Sequence, residues 1–190
     1  MTPQQYHLAF PRTLSNPLSI DLVHAGVGLG TETFELEQAF KNNDRPNILE
    51  ELSDDHWYDD LLVDVVMRTS AGAMGLDFHL QFPDYKFVSF HDALYDLRAA
   101  VADVQDVGKR VFWYGLHIED AKKDLVPRLV RANQTVRGVI NALCIELKVD
   151  IAEIRARNIS KLYIRQPGKF DGLEFVTRDL PAERELFIGL

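Results

Sequence analysis

Residues 17–67 read PLSIDLVHAGVGLGTETFELEQAFKNNDRPNILEELSDDHWYDDLLVDVVM, and the spacing of their apolar side chains decides the fold. Ile20, Val23, Val27, Phe34, Ala39 and Phe40 recur at helical intervals. Ser15-Asn16-Pro17 ahead of them offers a capping side chain followed by a proline suited to a first turn. Gly26, Gly28 and Gly30 each weaken such a helix by up to ~1 kcal/mol, or else let another backbone or a ligand approach closely. Asn42-Asn43-Asp44-Arg45-Pro46 is a stop followed by a new start, with Asp44 as candidate cap. The second helix runs from about Pro46 to Met67 on the apolar positions Ile48, Leu52, Leu61, Leu62, Val65 and Val66. Two helices joined by so short a turn pack antiparallel.

Outward from this hairpin, residues 69–88 contain Gly72, Gly75 and Pro83 and have no clear period. They read as a long connector, with a short extended piece at Phe78 to Phe82. A third helix is expected from Ser89 to about Tyr114, and a fourth from roughly Ile118 to Val149, bent or interrupted at Pro127. Asp150 caps a fifth, to about Gln166; after Pro167 comes a loop and one short helix near Pro181 to Leu186. The pattern is helical almost throughout. The expected class is therefore all-α, an antiparallel helical bundle in one domain spanning residues 1–190.

Composition narrows the function. The chain has 190 residues, 46% of them hydrophobic and 26% charged, which suits an ordinary globular core. A formal net charge of −8 argues against a general nucleic-acid binder, since no basic surplus exists to neutralise phosphates. A polyanionic nucleotide remains accessible if metal ions stand between its phosphates and the protein's carboxylates. Cys144, the only cysteine, lies in the apolar run Val139 to Leu147 and reads as a buried, inert thiol. No apolar stretch approaches the ~20 residues a membrane span needs, and Met1 to Asn16 is too polar for a signal peptide. The expectation is a soluble cytoplasmic protein.

The chemistry sits in Glu32-Thr-Phe-Glu35 on the first helix and Glu51-Leu-Ser-Asp54 on the second. A spacing of i, i+3 puts both acids of a pair on one helix face. Because the helices form a hairpin, the pairs can face each other, and four converging carboxylates repel unless cations neutralise them. Hard oxygen ligands suit Mg²⁺ or Mn²⁺. The alternative is a solvated polar face for each pair. Against it, Phe34 and Leu36 flank the first pair and Trp57-Tyr58 closely follows the second, so neither lies on a purely polar stripe.

The block from His24 to Leu36, continued by Asn47 to Tyr58, resembles the signature of the MazG-like all-α nucleoside triphosphate pyrophosphohydrolases: an ExxE helix followed by an ExxD helix. The segment from Asn158 through Lys161, Arg165 and Pro167 to Phe170, with Arg178-Asp179 and Glu183-Arg184 beyond it, is similar to that family's tail motif. ExxE alone is weak; together with ExxD-xx-WY and NxxKLxxRxP it is fairly specific. Phe34 and Ser53 stand where the family usually has glycine, a change expected to crowd the helix contact.

The resemblance implies Mg²⁺-dependent hydrolysis of a nucleoside triphosphate, a dNTP by preference, to the monophosphate and pyrophosphate, in a homo-oligomer such as a dimer. Glu32, Glu35, Glu51 and Asp54 then hold Mg²⁺, with Mn²⁺ as substitute, around a water made nucleophilic at neutral pH. Lys161 and Arg165, one helical turn apart, are candidates for outer phosphates, with solvated helix charges as the alternative. Asn158 shares their face and is a candidate for sugar or phosphate. Tyr58 either stacks on a base or fills the core; His24 and Trp57 read as structural. From another class comes a non-catalytic helical nucleotide-binding or regulatory protein that retains the fold.

A second copy of the hairpin is a further expectation. A shift of 68 residues aligns Ala25 with Ala93, Leu29 with Leu97 and Lys41 with Lys109, and sets Glu32 and Glu35 on Ala100 and Asp103. A shift of 79 sets Glu51 and Asp54 on Val130 and Asn133. Repeats at 17–68 and 89–149, the second stripped of most metal ligands, would then precede the tail 150–190. Chance similarity between amphipathic helices is the alternative.

Overall fold

A computed structural model describes residues 17–68, 84–116, 124–165 and 180–189. Six helices follow in order: α1 (Leu18–Lys41), α2 (Arg45–Arg68), α3 (Phe90–Trp113), α4 (Leu125–Leu147), α5 (Ile151–Arg165) and α6 (Leu180–Glu185). They make an all-α bundle, with no strand among the described residues. α1 lies on α2 and α3; α4 lies on α3 and α2; α5 and α6 both lean on α2. α2 is therefore the central helix.

The local sequence explains the boundaries. Pro17 takes the N-cap position itself, and its carbonyl accepts from Ile20 N at 2.9 Å, so it precedes the first turn. α1 ends where Asn43 adopts φ +52°, a left-handed conformation that asparagine tolerates. The carboxylate of Asp44 binds Arg184 of α6 at 2.9 Å, while its carbonyl accepts from Ile48 N. Ser89 caps α3, its hydroxyl accepting from Asp92 N at 3.1 Å. α4 closes with Lys148 at φ +57° and a Val149 N–H to Cys144 O bond of 3.0 Å. Asp150 then caps α5 through Ala152 N at 2.8 Å.

Two expectations need correction. α4 begins at Leu125, which puts Pro127 in its first turn, where a missing N–H costs nothing; the proline opens the helix and does not bend it. Phe34 is 57% exposed, and Ile20 and Val27 are exposed with it, so these three positions lie outside the core and Phe34 does not crowd the helix contact. The extended piece at Phe78 to Phe82, the cap residues Ser15 and Asn16, the start of the fourth helix before Asp124 and the loop after Pro167 lie outside the described residues.

The core runs along the inner faces of α1 to α4, from Leu22, Leu29 and Leu36 through Leu52, Leu62 and Val65 to Leu97, Val104, Val136 and Ile140. Glycines let α1 come close. A Cβ on Gly26 would meet Gln105 and Val104 of α3 at 3.4 Å, and one on Gly28 would strike the Tyr58 ring at 2.1 Å. The close approach is thus to neighbouring helices.

A buried ionic layer crosses the bundle. Arg137 of α4 donates to Asp59 at 2.6 Å and to Asp60, while Asn133 donates to Asp59 at 2.5 Å. Arg155 of α5 donates from Nε to His56 Nε2 at 2.7 Å. Burial pushes the His56 imidazole down to about 3, which keeps it neutral and able to accept. At the far end of the hairpin, Arg68 joins Asp21 at 2.5 Å and Asp64 at 2.6 Å.

Candidate functional site

Midway along the α1–α2 contact, Glu32, Glu35 and Glu51 converge: one carboxylate oxygen from each lies within 4.8 Å of the others. The i, i+3 spacing on α1 turns Glu32 and Glu35 to the same side, and the short 42–44 turn brings Glu51 of α2 level with them. Glu51 is buried, Glu32 half-buried and Glu35 exposed, so the cluster opens to solvent on the Glu35 side.

The electrostatics are costly. Burial first, then the charge of Asp54, pushes Glu51 up to about 10 and Glu32 up to about 7. The two carboxyls face each other at close range, and each alters the other's proton affinity. Three carboxylates crowded and partly desolvated form the donor set that hard divalent cations take, and a cation would supply the positive charge the cluster lacks. The residues present fit such an ion.

Asp54 belongs to the same group but has other partners. Its Oδ1 accepts from Asn158 Nδ2 at 2.6 Å, and its Oδ2 is in contact with the Lys161 ammonium. Lys161 is fully buried and also reaches Glu50 Oε1 at 3.3 Å. It is therefore no solvated helix charge. Ser53, in the place of the family's glycine, is buried under α5: it donates to Glu50 O at 2.6 Å and accepts from Asn158 at 3.1 Å. Behind Glu32 lies Asp55, fully buried, accepting from Thr33 Oγ1 at 3.2 Å. Burial, then Glu32, holds the Asp55 carboxyl well above its ordinary range.

Tyr58 lies against Gly28, edge-on to His24 with ring centres 5.4 Å apart and to Trp57 at 4.9 Å. Both Trp57 and Tyr58 are half-buried. Partial burial, offset by Asp21, lowers the His24 imidazole. Arg165 ends α5, but its side chain lies outside the described residues, as do Lys169, Arg178 and Asp179.

Three groups escaped the sequence reading. Glu50 is a fifth carboxylate beside the cluster, Asp55 is a sixth behind it, and His56, Asp59 and Asp60 form a second group whose ligand atoms lie within 4.8 Å of one another. Arg137, Asn133 and Arg155 already occupy that second group, so it is a structural ionic layer. The doublet Asp59-Asp60 ahead of Leu61-Leu62 was the available signal: acids this deep in an apolar run need an internal cation.

Compared with known proteins, the chain matches no protein-family model, no curated protein and no solved structure. No described helix is long and apolar enough to cross a membrane.

Proposed function

We propose that this protein hydrolyses a nucleoside triphosphate, a dNTP by preference, to the monophosphate and pyrophosphate with the help of Mg²⁺. The observation that carries the reading is the convergence of Glu32, Glu35 and Glu51, one carboxylate oxygen of each lying within 4.8 Å of the others. The resemblance of the two acidic helices and of the Asn158–Lys161 tail to the MazG-like pyrophosphohydrolases supports it. A bound Mg²⁺ would neutralise triphosphate oxygens and lower the pKa of a coordinated water.

The protein's own residues do the rest. Glu32, Glu35, Glu51 and Asp54 supply hard oxygen ligands, with Glu35 at the solvent side where substrate enters. Asn158 fixes Asp54 from α5. Lys161 supplies positive charge at the edge of the cluster, and Arg165, four positions later in the sequence, is the candidate for the outer phosphates. Tyr58, wedged between His24 and Gly28, offers an aromatic wall for a base. The reading carries with it a cytoplasmic location and a dimer, the latter checked by light scattering. It carries a degenerate second hairpin in α3 and α4 as well.

One observation favours a second reading, a non-catalytic nucleotide-binding or regulatory protein. Asp54 already has a cation in Lys161. The two readings part on turnover: incubation with each NTP and dNTP plus Mg²⁺ yields monophosphate and pyrophosphate on the first and unchanged nucleotide on the second.

A further inference from the structure

Lys161 is a cation in direct contact with the carboxylate cluster, and its position is unusual. Its side chain is fully buried, its ammonium touches Asp54 Oδ2, and Glu50 Oε1 lies 3.3 Å away. Glu50 and Asp54 are one turn apart on α2, and the ammonium reaches both of them. In the metal centre proposed above Asp54 is the fourth carboxylate, yet here it is engaged by Lys161 and Asn158. The ammonium and the metal compete for the same oxygen.

We infer that Lys161 is a resident counter-ion that the metal displaces from Asp54, the ammonium staying on Glu50 when the carboxylate turns to the ion. The inference rests on the metal-centre reading above. Lysine is suited to such an exchange: its ammonium carries three rotatable donors on a flexible stem and can release one acceptor while keeping another, whereas the rigid fork of arginine cannot. A second observation points the same way. The Asn158 amide nitrogen holds Asp54 Oδ1, but its carbonyl oxygen is buried without a hydrogen-bond partner. Asn158 precedes Lys161 by three positions on α5, so that oxygen lies on the same helix face as the ammonium and provides a spare acceptor beside the exchanging groups. Metal occupancy and the seating of α5 on α2 are thereby coupled, because the same two side chains serve both.

The test is Mn²⁺ binding to the full chain at pH 8 without nucleotide, followed by electron paramagnetic resonance, for wild type, Lys161→Met, Glu35→Gln and the double variant. Removing the competing cation is expected to tighten Mn²⁺ binding about tenfold, equivalent to about 1.4 kcal/mol, and Glu35→Gln is expected to weaken it in both backgrounds. Lys161→Met leaves two carboxylates without their cation and can lower stability, so each protein is also melted with and without Mn²⁺. The expected result is a larger Mn²⁺-induced rise in Tm for Lys161→Met than for wild type, as the ion replaces the lost ammonium. Equal Mn²⁺ affinity and an equal rise in Tm for the two proteins would overturn the exchange while leaving the metal centre standing. No Mn²⁺ binding by either, with Glu35→Gln indistinguishable from wild type, would refute the metal centre and the exchange with it.

Discussion

Replacing Glu51 with glutamine is expected to stabilise the metal-free protein while abolishing its response to metal. Glu51 sits near 10 in the folded chain against an ordinary 4.5, so the folded state holds a proton that the unfolded state releases. A carboxyl raised in this way contributes stability that is full below pH 4.5 and declines as pH rises toward 10. From pH 4.5 to 7.5 the loss reaches at most about 4 kcal/mol, at about 1.4 kcal/mol per pH unit. Coupling to Glu32 and relaxation of a cluster open on one side reduce this, and about 2 kcal/mol is the working figure. Glutamine needs no proton, and its amide nitrogen can donate to the neighbouring Glu32 carboxylate. For a chain of this size the gain corresponds to a Tm about 4–8 °C higher at pH 7.5. The assay is thermal unfolding by circular dichroism in EDTA at pH 5, 6.5 and 8, repeated in Mn²⁺. The stabilisation should grow from pH 5 to pH 8, and Mn²⁺ should raise the Tm of wild type alone. A Glu51→Gln protein that melts lower than wild type, or whose gain is the same at pH 5 and pH 8, would refute the claim that a strained, protonated carboxyl cluster occupies the α1–α2 contact.

Other expectations follow from the same geometry. Arg137→Met leaves Asp59 and Asp60 buried without their cation and should cost about 3–5 kcal/mol by urea unfolding, with Asp59→Asn in the same chain recovering part of the loss. Gly26→Ala and Gly28→Ala should differ in sign: Gly26 has ordinary van der Waals room and gains up to ~1 kcal/mol of helix propensity, whereas Gly28→Ala must push the Tyr58 ring aside, at a cost of about 1–3 kcal/mol before that gain. Differential scanning fluorimetry of the pair reads the difference. The Cys144 thiol, 2% exposed and raised to about 12 by burial, should react with a thiol reagent only as fast as the protein opens, and at the free-thiol rate in urea.

Most of the hairpin was legible because its signals are local. Asn42-Asn43 could only be a turn, and Ile48, Leu52, Leu61, Leu62, Val65 and Val66 all reach the core as their period requires. Of the four i, i+3 acids, Glu32, Glu35 and Glu51 come within 4.8 Å of one another, as helix geometry and the short turn favour, while Asp54 is held by Asn158 and Lys161 of α5. Pro127 was placed too deep in its helix because a proline's effect depends on where the helix begins, and Asp124, the cap-type residue just ahead of Leu125, was not read as that start. Phe34, with Ile20 and Val27, follows the helical period on an outer stripe of α1; a period shows that a face is apolar, not which neighbour covers it. Long-range pairing was out of reach. Nothing local joins Asp59 to Arg137, or Asp54 to Lys161, and Lys161 fits neither a solvated charge nor a free phosphate ligand because its partner comes from a helix far away in sequence.

The central claim is tested most directly by product analysis. Purified protein is incubated with each common NTP and dNTP in Mg²⁺, and nucleotides and pyrophosphate are separated by chromatography, with Glu35→Gln alongside. Monophosphate and pyrophosphate in equal amounts from wild type, with turnover by the variant reduced at least a hundredfold, is the expected result. Release of inorganic phosphate with a diphosphate product, or no turnover of any nucleotide in either Mg²⁺ or Mn²⁺, would contradict it.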